Sequence, residues 1–169
     1  CGIVNAARER IPMLFSAGRT PINEDGLPGS RSIYIHWAQE MFDQAGMVRE
    51  LVKWDYELRN LEQLETVVDR ALTISMSEPR GPVYLTLPRE VLAQKPGAFT
   101  YDPPTRRHPA KAGAPNANVV DEAADLLAKA KNPLIITSSY GQHPDDVAAL
   151  ADLAERFAIP VVCYRPRYV

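Results

Sequence analysis

The chain has 169 residues, 46% hydrophobic and 24% charged, a composition that supports one ordinary core or two small ones and excludes a disordered or fibrous chain. With 19 basic and 21 acidic residues the net charge is −2, without the clustered Lys and Arg that mark a nucleic-acid partner. The longest apolar runs, such as Pro133-Leu134-Ile135-Ile136, fall far short of the ~20 residues a membrane helix needs, so neither nucleic acid nor a membrane is expected.

In chain order, Ile3, Val4, Ala6 and Ala7 form a helical stripe over residues 1 to 10, which Pro12 ends because proline and its predecessor resist the helical conformation. "PMLFSAG", 12 to 18, predicts a short buried strand, and the Gly-, Pro-, Asn-, Asp- and Ser-rich stretch from Gly18 to about Ile33 a loop. "IHWAQEMFDQAGMVRELVKW" predicts a short helix around 36 to 48 leading into an extended "LVKWDYEL", with Phe42, Met47, Val48, Leu51 and Val52 in the core. Asn60 and Gln63 make a capping arrangement, and Leu61, Leu64, Val68, Ala71 or Leu72, and Ser75 recur at helical spacing to about residue 77. "EPRGP" breaks that helix, and the β-branched and aromatic "VYLTL", 83 to 87, predicts a strand.

Between Leu92 and Asn116 five prolines fall among Gly and Ala without hydrophobic period, the signature of an extended linker. Beyond it Asn118 is expected to cap a helix with Val119, Val120, Ala123, Leu126, Leu127 and Ala130 on one stripe. "PLIITSS" predicts a strand, Pro144 with Asp145 and Asp146 the first turn of a helix, and "IPVVCY" a second strand. Two strands joined by a helix within about thirty positions make a βαβ unit, whose strands run parallel. The expected fold class is therefore α/β, with two partial parallel-sheet units, 1–92 and 117–169, joined by a Pro-rich linker, 93–116. The first residues already read as mid-helix, and the chain stops after a strand without the helix that should follow, so a piece of a longer chain is expected.

Candidate chemistry is sparse. His36, His108 and His143 are not at metal-ligand spacing with one another, with Cys or with carboxylates, and no metal site is expected. Cys1 and Cys163 form neither a disulfide framework nor a Cys-x-x-Cys motif, which fits a reducing, cytoplasmic setting. Ser138, Ser139 and Gly141 lie between a strand and a helix, where an open α/β sheet binds phosphates, but without G-x-G-x-x-G a plain strand-to-helix turn is the reading those residues favour. Ser16, Ser30, Ser32 and Ser75 lie in no G-x-S-x-G elbow. Glu62, Glu65 and Asp69 read as a solvated face.

The order "IPMLFSAGRTP", "AQEMFDQAGMVRELVKW", "RGPVYLTLPREVL", then "NPLIITSSYG" and "FAIPVVCY", resembles the thiamine-diphosphate-dependent enzymes of the acetolactate synthase type over essentially the whole chain. In that family "GPVYLTLPREV" corresponds to a Gly-Pro-Val strand ending in a Pro-x-Glu/Asp-Val turn. The resemblance implies that 1–92 is the C-terminal part of a pyrimidine-binding domain and 117–169 the N-terminal part of a Rossmann-like central domain. It implies a 2-keto acid decarboxylase or lyase using thiamine diphosphate and Mg²⁺, working as a homodimer or tetramer. The resemblance further implies that no catalytic residue falls in this chain, the family's glutamate being expected upstream and its Gly-Asp-Gly…Asn motif downstream; cofactor-binding residues are not identified, and this segment alone is expected to be inactive.

By the same resemblance Gln39 lines the substrate channel, Trp37 supplies the ring where Ala38 replaces the family aromatic, and Arg19 stands where several members have Gln, implying a different substrate preference. His36 has two open roles, recognising a carboxylate or packing. The loop "SSYGQ" departs from the family's Gly-rich flavin loop, which weighs against FAD. The competing reading is a non-catalytic nucleotide- or protein-binding α/β module; a nucleotide-dependent oxidoreductase is disfavoured by the missing dinucleotide fingerprint.

Overall fold

The computed structural model describes residues 1–98, 108–138 and 140–164. The chain divides into two compact units, Cys1–Ala112 and Gly113–Val169. The first contains α1 (Gly2–Arg8), β1 (Leu14–Arg19), α2 (Ile35–Ala38), β2 (Asp55–Glu57), α3 (Leu64–Met76), β3 (Val83–Pro88) and α4 (Arg89–Leu92). The second contains α5 (Ala117–Lys129), β4 (Ile135–Thr137), α6 (Pro144–Phe157) and β5 (Val161–Cys163). Parallel strands and intervening helices in both units bear out the α/β expectation.

In the first unit the sheet order is β1-β3-β2, all parallel. The central strand reads Val83, Tyr84, Leu85, Thr86, all buried, the near-continuous pattern of a strand covered on both faces. Edge strand β1 alternates half-buried and exposed residues along most of its length. Its register places Arg19 beside Pro88, while Glu57 at the end of β2 lies beside Thr86. The core under the sheet consists of Leu58, Val67, Ala71, Val83, Leu85 and Val91, with Leu14, Trp54 and Leu64 packed against it. Trp54, just before β2, and Tyr56 within it stack at 5.5 Å.

The helix predicted from Asn60 forms as expected. Asn60 Oδ1 accepts from the Gln63 amide at 3.0 Å, a 3₁₀ turn at Leu61–Gln63 leads into α3, and Val67, Ala71 and Ser75 make its buried face at a spacing of four. At its far end Lys53 Nζ donates to the carbonyls of Ile74 and Ser77, both at 2.6 Å. A cation is favoured there because the last carbonyls of a helix lack intrahelical donors; burial lowers the Lys53 pKa. Ser75 Oγ closes the connection by donating to Gly81 O at 2.8 Å.

Two expectations for the opening stretch fail. The helix around 36 to 48 is α2 alone, followed by 3₁₀ turns at Ala45–Met47 and Arg49–Leu51. Asp43 supplies the physical reason: its carboxylate accepts from the Gly46 amide at 3.0 Å, a local bond that competes with helix. Because the helical period is lost, Phe42 is 94% and Met47 62% exposed, outside the core to which the sequence pattern assigns them, whereas Val48, Leu51 and Val52 are half-buried.

In the second unit the helix cap is Asn116, two residues before the expected Asn118, whose amide it accepts at 3.0 Å. Pro144 occupies the first turn of α6 with Asp145 and Asp146 beside it, as the sequence predicts. That helix ends at Ala158 in the left-handed conformation, φ 51°, and the Ile159 amide returns to Ala154 O at 2.9 Å. Strands β4 and β5 pair in parallel with Ile135 beside Val161. The apolar stripe of α5 lies open, with Val119 59% and Leu126 66% exposed. No helix among the described residues is long and apolar enough to cross a membrane.

Candidate functional site

In an open parallel sheet, ligands bind in the crevice beyond the carboxyl ends of the strands. At that edge of the first unit lies a cleft of about 370 Å³, lined among others by Arg19, Gln44, Arg49, Tyr56, Glu57, Arg59 and Thr86. The sheet order brings these together: the ends of β1 and β2 flank the end of β3, and segment 39–51 passes over them.

Arg19 reaches across the end of β3 to pair with Glu57 on one side, and donates to Glu40 at 3.2 Å on the other. Glu40 also accepts from Thr20 Oγ1 at 3.2 Å and pairs with Arg31. Burial alone would raise the Glu40 pKa, but the hydrogen bond from Arg19, the charge of Arg31 and the Thr20 hydroxyl outweigh it and hold the carboxyl below its ordinary value. The Arg19 guanidinium likewise sits above its ordinary value, because its bonds to Glu57 and Glu40 outweigh the cost of burial. Two guanidinium groups thus meet two carboxylates in one network.

Segment 39–51 is fastened by polar bonds. Gln44 Nε2 donates to Gly18 O and Tyr84 Oη, each at 3.0 Å. Arg49 grips Asp43 with two bonds, 2.7 and 2.9 Å, and reaches Asp55 at 3.3 Å. The fork geometry of guanidinium suits this two-point grip, and it holds the Asp43 pKa down.

The four residues selected from sequence are placed differently from one another. Arg19 lines the cleft with its charge committed to Glu57 and Glu40. His36 is half-buried, with the Ser32 amide 3.1 Å from Nδ1 and Arg89 Nη1 3.0 Å from Nε2. Both neighbours can only donate, and a neutral imidazole has one lone pair to offer, so one of the two bonds holds at a time. Trp37 donates from Nε1 to Glu24 at 3.0 Å, and the Arg31 guanidinium lies 5.8 Å from its ring centroid. Gln39 is exposed at the end of α2. The strand-to-helix turn keeps Ser138 and Gly141 in view, Gly141 within a 3₁₀ turn at Tyr140–Gln142, while Ser139 lies outside the described residues. Among the described residues no three His, Cys, Asp or Glu side chains converge.

Sequence reasoning passed over Glu40, Glu57, Arg31 and Glu90. The last belongs to the Pro-x-Glu-Val turn: it is 3% exposed and accepts the Asn23 amide at 2.8 Å. Burial raises its pKa, and backbone amides led by Asn23 overcome that and lower it. The adjacent Gly29 has φ +93°, and an added Cβ would come within 2.9 Å of Arg89 O, so the 20–33 loop docks closely on α4. The motif was visible in sequence, but its partner, 67 residues away, was not.

No family model matches the chain. It is 26% identical over 95% of its length to an acetolactate synthase of Arthrospira platensis. It is 31% identical over 94% of its length to a probable 2-ketoarginine decarboxylase of Pseudomonas aeruginosa (strain PAO1), and 31% over 94% to a 2-succinyl-5-enolpyruvyl-6-hydroxy-3-cyclohexene-1-carboxylate synthase of Chlorobaculum tepidum. The chain spans only 26%, 27% and 29% of these relatives, respectively. Its fold matches 28% of the solved benzoylformate decarboxylase of Polynucleobacter necessarius, with a TM-score of 0.73 over 94% of this chain at 24% identity.

Proposed function

We propose, from a chain whose relatives are acetolactate synthases and other enzymes of that type, that it is a segment of a thiamine-diphosphate-dependent decarboxylase or lyase acting on a 2-keto acid. Residues 1–92 are then the C-terminal part of the pyrimidine-binding domain, 93–116 a linker, and 117–169 the N-terminal part of the central domain. The observation that carries this reading is the alignment of nearly the whole chain with about a quarter of each relative. The polar cleft at the carboxyl edge of a parallel sheet, where this fold class receives ligands, supports it.

The described residues do not assemble a site for the cofactor's diphosphate-Mg²⁺ end. A diphosphate with Mg²⁺ requires convergent oxygen ligands, and no three acidic or metal-ligating side chains meet among the described residues. The chain's contribution is therefore a wall of the substrate channel, with Gln39, Trp37, His36 and Arg19 at or behind that wall, and no catalytic step is assigned to it. Homodimer or tetramer formation and a cytoplasmic setting complete the proposal, and flavin is disfavoured because the "SSYGQ" loop departs from the Gly-rich pattern that receives a dinucleotide's phosphates.

The test is steady-state turnover of 2-keto acids by the full-length protein, with and without thiamine diphosphate and Mg²⁺. Release of carbon dioxide or a condensation product only when both are present is expected. Indifference to both would leave the alternative, a non-catalytic α/β module. Calorimetry on the 169 residues alone should detect no thiamine diphosphate binding, and stoichiometric binding would overturn the assignment of the cofactor's partners to other segments.

A further inference from the structure

We propose that Arg59 is the anion anchor of the carboxyl-edge cleft and that it takes the carboxylate of the 2-keto acid, an assignment that rests on the proposed function. The cleft is lined by three arginines and three carboxylates. Arg19 is committed to Glu57 and Glu40, and Arg49 to Asp43 and Asp55. These pairs account for every carboxylate lining the cleft. Arg59 is exposed, and among the described residues no carboxylate pairs with it.

The backbone around Arg59 is fixed. Leu58 before it is 2% exposed and donates its amide to Thr86 O at 2.9 Å; Asn60 after it caps the turn leading into α3 at 3.0 Å. With the backbone fixed, binding has only the side-chain rotamers of Arg59 left to order, and its planar fork matches a carboxylate in two bonds. An incoming carboxylate thus meets one positive charge that no neighbour has neutralised, with Thr86 and Gln44 on the same walls. Arg19, whose charge is shared between two glutamates, is instead a positioning residue holding the β1 and β2 ends together.

The experiment compares wild type, Arg59→Gln and Arg59→Lys in the full-length protein. A charge-assisted bond to a carboxylate predicts a KM for the 2-keto acid raised about tenfold or more in R59Q, with kcat changed by less than about threefold, and partial recovery in R59K. KM for an aldehyde co-substrate, which lacks the carboxylate, should stay put, and thermal midpoints should match wild type. An unchanged 2-keto acid KM in R59Q overturns the assignment. Should wild type turn over no 2-keto acid, the proposed function fails on its own terms. Calorimetric titration with pyruvate then decides Arg59: binding by wild type that R59Q loses supports the anchor, and equal binding by both, or none by wild type, overturns it.

Discussion

Glu40 accepts from Arg19, Thr20 and Arg31, tying the start of the 20–33 loop, its end and the edge of β1 to one carboxylate. Replacing it with Gln leaves Arg19 with Glu57 and Arg31 with Glu24 as their remaining carboxylates, so E40Q should lose about 1.5–3 kcal/mol in urea denaturation, the worth of charge-assisted bonds rather than of an unpaired charge. The pH dependence follows from sign. The folded Glu40 and Glu90 carboxyls both lie below their ordinary value of 4.5, so their stabilisation is complete above the unfolded pKa and is lost as pH falls through the folded ones. Wild-type stability should therefore decline as pH drops below about 4.5, and E40Q should show a shallower decline carried by Glu90. Parallel curves for the two proteins would contradict this role for Glu40. None of it was legible beforehand: Arg19 is singled out by resemblance, but Glu57 meets it through the β1-β3-β2 order and Glu40 through the path of the segment after α2, neither of which residue spacing encodes.

At the scale of elements, legibility follows whether the signal is local. The helix after Asn60 was readable because cap and apolar period lie within a few residues of each other, and both are realised. The segment 36–48 carried a helical period too, but Asp43 and Gly46 offered the backbone a competing bond, and Arg49 rewards that turn with a two-point grip. A period without a cap was therefore the weaker signal. In α3 the cap can be isolated: Asn60→Ala should cost about 1 kcal/mol, with Asn60→Asp or Ser close to wild type, read as the shift in urea midpoint. If N60A is as stable as wild type, the Oδ1 bond to the Gln63 amide contributes nothing and α3 rests on packing by Val67 and Ala71 alone.

Across the whole chain the two units differ in how well each covers its own apolar surface. In the first, β3 is enclosed on both faces and Val83 and Ala71 are fully buried. In the second, of the large hydrophobics described, Ile159 alone is buried, while Ile136 is 68%, Leu126 66% and Phe157 62% exposed. Burial of apolar area supplies most of the stabilisation that resists opening, at roughly 25 cal/mol per Å². Sequence pattern identified the strands and the longer helices of both units, since a stripe such as Val119 to Leu127 shows that a face is apolar. It does not show what lies against that face. Native-state hydrogen exchange on the 169 residues should therefore find the amides of Val83 to Leu87 the most protected, and those of α5, β4 and β5 exchanging faster by a factor of about a hundred or more, as expected when opening exposes little further apolar surface. Equal protection in α5 and β3 would mean that the stripe of α5 is covered in solution, and protection that rises with protein concentration would identify the cover as a second copy.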